Sequence, residues 1–167
     1  MAADETPVQG ASRRRAAWLT AVLALAAALT WVVQEHVLTV FQVQGCSMEP
    51  TLREGQRVLV LRHPSRVLRG DLLVFRNPYA ADEVLIKRVL ALPGERILVK
   101  DGRLYVNDLL HPEPYVKAGT TILSLAEERL PEGTYYLLGD NRAESIDSRK
   151  LGPIERDLLI GKVVHRF

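Results

Sequence analysis

Val84-Leu85-Ile86-Lys87-Arg88-Val89-Leu90-Ala91-Leu92 is an apolar run interrupted by two adjacent cations and followed by Pro93-Gly94. Its length, branched residues and downstream turn formers read as a strand. Side chains alternate along a strand, so Lys87 shares a face with Leu85, Val89 and Ala91, and Arg88 shares the other with Ile86 and Leu90. One of the two charges must then face the interior or a cleft. Desolvation disfavours an ammonium and lowers a lysine pKa from ~10.4 by up to ~3 to 5 units, which makes a buried Lys87 a neutral base near pH 7. The alternative for this strand taken alone is an edge position with Lys87 reaching out to water.

Outward from this run the pattern stays strand-like. Val58 to Leu61, Leu72 to Phe75, Tyr135 to Leu138 and Ile160 to Val164 are short apolar segments bounded by Gly, Pro or Asp. Ile97 to Lys100 and Arg103 to Val106 flank Asp101-Gly102, a strong two-residue hairpin signal. Helical turns are expected only near Leu123 to Glu128 and Ile154 to Leu158, and the stretch Asn107 to Pro131 reads as loops or a surface excursion. Short strands without crossover helices predict a mainly β domain, an antiparallel barrel-like or folded sheet rather than a βαβ architecture.

A chain of 167 residues that is 47% hydrophobic suits one packed domain plus an appendage. Its 22 basic and 20 acidic side chains leave a formal net charge of +2, too balanced for a nucleic-acid surface. The single cysteine, Cys46, excludes an intrachain disulfide and a multi-thiolate zinc site. The histidines, His36, His63, His111 and His165, have no metal-ligand spacing, and neither metal nor cofactor is expected.

The appendage is N-terminal. Residues 1–15 form a polar tail ending in Arg13-Arg14-Arg15, and Ala16 to Val33 carries no charge and has hydroxyls only at Thr20 and Thr30. As a helix it would span about 27 Å against a ~30 Å hydrocarbon core, with Trp18 and Trp31 towards the two interfaces. The expectation is one transmembrane helix over 16–33, with the N-terminus cytoplasmic by its arginines and residues 34–167 extracytoplasmic. A cleaved export signal shares these features. The continuation past Ala26-Ala27-Ala28 to Val33 favours a retained anchor in the cell membrane.

Two further stretches bear on chemistry. Gly45-Cys46-Ser47-Met48-Glu49-Pro50-Thr51-Leu52 presents a serine in a stiff turn, a nucleophile only if a base takes its proton. No histidine stands in a catalytic setting and the Gly-x-Ser-x-Gly elbow is absent, so the other option for a base is a lysine such as Lys87. The loop Gly139 to Gly152 is dense in hydrogen-bonding side chains. Ser145 or Ser148 could orient a lysine there, and Asp147 could pair with Arg149 or Arg142.

Taken in order, these stretches resemble the type I signal peptidases, the serine-lysine family that removes signal peptides from exported proteins. The serine turn resembles that family's nucleophile box, Gly70 to Phe75 its following strand, and Ile86-Lys87-Arg88-Val89 with Leu92-Pro93-Gly94-Glu95 its lysine box. Gly139-Asp140-Asn141-Arg142 to Asp147-Ser148-Arg149 resembles its last box. The resemblance implies Ser47 as nucleophile, Lys87 as general base, Ser145 beside the amine, and Asp147 with Arg149 in the supporting network. It also implies a barrel-like antiparallel catalytic domain, preprotein signal peptides as substrates, and a lipid bilayer as partner. Some members carry a serine where this chain has Gly45, so the oxyanion is expected to rest on backbone N–H groups, chiefly that of Ser47. Rival readings are a thiol nucleophile at Cys46, a non-catalytic anchored peptide-binding module, and a mitochondrial inner-membrane-type peptidase.

Overall fold

In the computed structural model, residues 7–120 and 124–167 are described, the side chains of 7–13 and 32–36 excepted. The chain divides into two units, Met1–Leu38 and Thr39–Phe167.

The described residues of the first unit form one helix up to His36, α1 (Pro7–His36). Every described side chain from Arg14 to Trp31 is exposed. Thr20 Oγ1 donates to Ala17 O at 2.9 Å and Thr30 Oγ1 to Ala26 O at 2.8 Å, so both hydroxyls are satisfied within the helix. Among the described residues no helix is long and apolar enough to cross a membrane. The described side chains begin at Arg14 and Arg15 and stop before Val32 and Val33, so the expected span 16–33 lies partly outside them.

The second unit is mainly β. Its strands are β1 (Leu38–Gln42), β2 (Arg57–Arg62), β3 (Leu72–Asn77), β4 (Ala80–Ala91), β5 (Arg96–Lys100), β6 (Arg103–Val106), β7 (Leu109–His111), β8 (Leu125–Arg129), β9 (Thr134–Leu138), β10 (Ile154–Glu155) and β11 (Leu159–Arg166). A short helix, α2 (Ser148–Leu151), lies between β9 and β10. One sheet has seven strands in the order β1-β2-β11-β3-β4-β9-β10, the other four in the order β7-β6-β5-β8. The pairings from β2 through β10 are antiparallel. The barrel-like expectation is corrected: the large sheet ends at β1 and β10 and does not close on itself.

Two local expectations are also corrected. Leu125–Arg129 is a strand, not a helical turn, because it pairs with β5, with Arg96 opposite Arg129 and Ile97 opposite Glu128. Much of the supposed excursion is therefore the second sheet, built on the hairpin at Asp101 (φ +51°) and Gly102 (φ +70°), the two positive φ values of a type I′ turn. Ile154–Leu158 is half strand and half 3-10 turn.

Three apolar clusters hold the unit together. Leu90, Ile97, Leu104, Tyr136 and Leu138 join the second sheet to the first. Val43, Met48, Leu52, Val58 and Val74 seat the serine turn on the large sheet. Leu73, Phe75, Val89, Leu137, Leu151 and Ile154 lie under β4, β9 and α2. The site elements are thus anchored by burial on both sides, each large apolar side chain contributing about 1.5 to 3 kcal/mol.

Candidate active site

The serine turn leaves β1 and is closed by its own main chain. Val43 N donates to Gln56 O at 2.8 Å, Glu49 N to Cys46 O at 3.0 Å and Leu52 N to Met48 O at 2.9 Å. Gly45 takes φ +73°, a conformation costly for a residue with a Cβ, while Met48 and Leu52 are buried beneath it. The Ser47 N–H is used in none of these bonds.

β4 delivers the second group. Lys87 stands opposite Leu73 of β3, is 2% exposed, and donates from Nζ to Ser47 Oγ at 2.8 Å and to Ile86 O at 2.9 Å. Burial lowers its pKa to about 8, against the opposing charges of Asp147, Glu83 and Asp140. A serine hydroxyl at hydrogen-bond length from an amine that loses its proton near neutrality is the geometry of a nucleophile and its base.

The loop after β9 supports both. Asn141 N donates to Ser47 O at 3.0 Å and Asn141 Nδ2 to Cys46 O at 3.2 Å, which pins the serine turn from above. Asp147 caps α2 and is fully buried; it accepts from Arg149 Nε and Nη2, each at 2.7 Å, and from Gly139 N at 3.0 Å. Burial pushes the Asp147 carboxyl up, but these donors outweigh it and hold the pKa below the usual range. Arg142 pairs instead with Glu113 and donates from Nε to Gly139 O at 3.0 Å. Ser148 Oγ accepts from Leu137 N at 2.9 Å, while the partners of Lys87 Nζ are Ser47 Oγ and Ile86 O.

Ser145 is buried beside Gly139, and its Oγ makes no hydrogen bond of normal geometry among the described residues. It lies near enough to Asp147 to help lower that carboxyl's pKa, an effect we ascribe to a nearby dipole, since the bond geometry fails. No hydrogen bond joins it to Lys87 Nζ.

Two contributors were not singled out by the sequence. Arg88 grips Asp140 through two bonds, Nε to Oδ1 at 2.8 Å and Nη2 to Oδ2 at 2.7 Å, and also donates to Gly70 O at 2.9 Å and Thr51 Oγ1 at 3.1 Å. Its guanidinium lies 4.0 Å from the centre of the Tyr115 ring. One side chain thereby ties the serine turn, the lysine strand and the last loop together. Lys117 adds a second clasp, pairing with Glu49 at 3.0 Å.

The thiol reading of Cys46 is disfavoured. Its Sγ lies 2.9 Å from Glu144 Oε2, and that hydrogen bond, with desolvation and the carboxylate charge, raises the thiol pKa. A thiol so placed stays protonated and is a poor nucleophile. Among the described residues no group of three His, Cys, Asp or Glu is placed to hold a metal ion.

A groove of about 450 Å³ opens on Ser47 and Lys87, bordered by Phe41, Val43 and Met48 on one side and by residues 82–86 of β4 on the other. β9 pairs with β4 only from Arg88 onward and β1 is the sheet's terminal strand, so strand edges border the groove on both sides.

Known proteins are similar to this chain over most of its length. The family described as "Signal peptidase, peptidase S26" matches residues 15–167. Signal peptidase I V of Bacillus subtilis is 38% identical over 147 residues, covering 78% of this chain and 86% of its own. Signal peptidase IB of Staphylococcus aureus is 33% identical over 170 residues, covering 90% of this chain and 87% of its own. A solved structure of a signal peptidase I from Enterococcus faecalis superposes with TM-score 0.51 at 27% identity, covering 60% of this chain and 98% of that one. With a family match that runs from within α1 through the last strand, the chain belongs to the signal peptidase family S26, and is a serine peptidase that acts on signal peptides.

Proposed function

We propose that this peptidase cleaves its preproteins through a Ser47–Lys87 dyad while tethered to a membrane by α1. The observation that carries the dyad is the 2.8 Å contact between Lys87 Nζ and Ser47 Oγ at a lysine 2% exposed. Neutral Lys87 takes the Ser47 proton as Oγ attacks the scissile carbonyl. Charge on the tetrahedral oxygen falls to the unused Ser47 N–H, a kind of donor worth about 3 to 4 kcal/mol. The lysine returns its proton to the departing amine, then deprotonates the water that hydrolyses the acyl-enzyme. Ser145, buried without a partner, is free to hold the amine in line, and Asp147 with Arg149 fixes the loop that carries it.

The groove suits an extended peptide lying beside the free edges of β1 and β4, where main-chain bonds give affinity and the apolar walls of Val43, Met48 and Ile86 favour small side chains near the cut. Tethering is supported by α1. Trp18, Leu19, Leu23, Leu25, Leu29 and Trp31 are all exposed on a helix that buries none of them, and its two hydroxyls are internally bonded. Lipid is the solvent in which such a surface is stable. The three arginines before the run set the N-terminus on the cytoplasmic side of the cell membrane.

The test is cleavage of a preprotein in detergent by Ser47→Ala and by Lys87→Ala. Each loses activity by at least about 10³-fold, as removal of a nucleophile or its base does. Near-normal turnover by either variant refutes the dyad. Cys46→Ala keeps most of its activity.

A further inference from the structure

A second cavity, about 450 Å³ and sharing no lining residue with the groove at Ser47, lies where β2 ends, β3 ends and β11 begins. It is lined by the half-buried Arg62 and by Arg76, Arg156 and His63 at the exposed side, with Asp157 the single acidic residue. None of the three arginines has an ion-pair partner among the described residues. Arg62 Nε is one of only two buried side-chain polar atoms without a hydrogen-bond partner among the described residues, the other being Ser145 Oγ at the active site. A buried charged donor left unsatisfied is unfavourable, so its retention points to an acceptor supplied from outside the chain.

The backbone is shaped around this cavity. The register of β11 against β3 shifts between Leu159 and Gly161, the kind of bulge that re-aims side chains, and Leu159 and Ile160 line the cavity. His63, which follows Arg62 at the rim, holds φ +47°, a value that non-glycine residues adopt mainly where the surroundings impose it. The volume falls within the range of about 300 to 1,000 Å³ typical of small-ligand sites.

We propose that this cavity binds a phosphate-bearing anion. Planar guanidiniums match phosphate oxygens two at a time, and three of them around one space repel each other until an anion enters. The phosphate is either a free phosphate or the headgroup of an anionic lipid.

The experiment uses the full chain in detergent micelles and in vesicles. Inorganic phosphate is titrated at constant ionic strength against chloride while Tm is recorded, and hydrogen exchange at 62–67 and 159–160 is compared in phosphatidylglycerol and phosphatidylcholine vesicles. Arg76→Gln/Arg156→Gln is the main variant, since neither side chain makes a hydrogen bond that folding would miss. Arg57→Gln/Arg129→Gln removes equal charge elsewhere. The expected result is a saturable response whose apparent affinity falls at least about tenfold in the cavity variant and little in the control. A response to soluble phosphate assigns a free ligand, and protection confined to phosphatidylglycerol assigns a lipid headgroup. Absence of any response in the wild type, or equal weakening in both variants, overturns the proposal.

Discussion

An amine sealed inside a sheet costs stability whenever it is charged, and Lys87 bears that cost continuously at neutral pH. Its pKa in the folded chain, about 8, lies below the 10.5 of the exposed side chain, so between those values the unfolded chain holds a proton that the folded one has released. Stability from this group therefore rises as pH climbs from about 8 towards 10.5. Below about 8 the penalty is complete, about 3 kcal/mol. Replacing the ammonium by an apolar group of similar length, Lys87→Met, is expected to raise denaturant resistance at pH 7, with the gap closing near pH 10. Equal resistance across that range would remove the case for a desolvated amine. With Lys87 as the proposed base, the same titration governs rate. About a tenth of the enzyme carries a neutral Lys87 at pH 7 and about nine tenths at pH 9, so kcat/KM should climb roughly tenfold along a limb centred near 8. Lys87 is then a residue that trades stability for function.

At the scale of elements, three segments far apart in sequence meet with little slack. At Gly139 a Cβ would lie 2.6 Å from Ser47 O and 2.3 Å from Ser145 Oγ, so the loop after β9 touches the serine turn backbone to backbone. Gly139→Ala must push that turn aside, and because a displacement near 1 Å can cost ~10²-fold, kcat should fall by about that factor while the protein still folds. A variant with wild-type kcat would mean that the turn does not depend on this contact. Such closeness also marks what a sequence can and cannot reveal. The strands were legible because alternation and turn formers are local signals, whereas alternation on β4 left open which of Lys87 and Arg88 faces inward, and the Ser47–Lys87 pairing came from the resemblance of three separate stretches to one family. β1 (Leu38–Gln42) was not among the strands read from the sequence. β8 was misread because Leu125-Ala126-Glu127-Glu128 favours a helix locally, a preference overridden by pairing with β5. Arg88 was seen only as pointing away from Lys87. Its role depends on Asp140, which lies 52 residues downstream and which no local pattern links to it.

For the whole molecule, the question is what a helix whose described side chains from Arg14 to Trp31 are exposed adds to a second unit with its own apolar clusters. The unit Thr39–Phe167 contains Ser47, Lys87, Asp147 and all three apolar clusters, so deletion of residues 1–33 should leave it folded and able to cleave a soluble peptide. On the proposed tethering, the helix acts on encounter instead. A preprotein whose signal segment is in the bilayer meets a tethered enzyme at an effective concentration that free diffusion does not reach, and linkage of this kind raises apparent affinity by ~10² to 10⁴-fold. The truncated and full-length proteins are therefore expected to match on a soluble peptide in detergent. On a preprotein reconstituted in vesicles, kcat/KM should fall at least about 10²-fold for the truncated form, with the loss in KM rather than kcat. Equal rates on the vesicle substrate would show that α1 has no part in bringing enzyme and substrate together, whereas a loss on the soluble peptide as well would mean that it supports the catalytic unit directly.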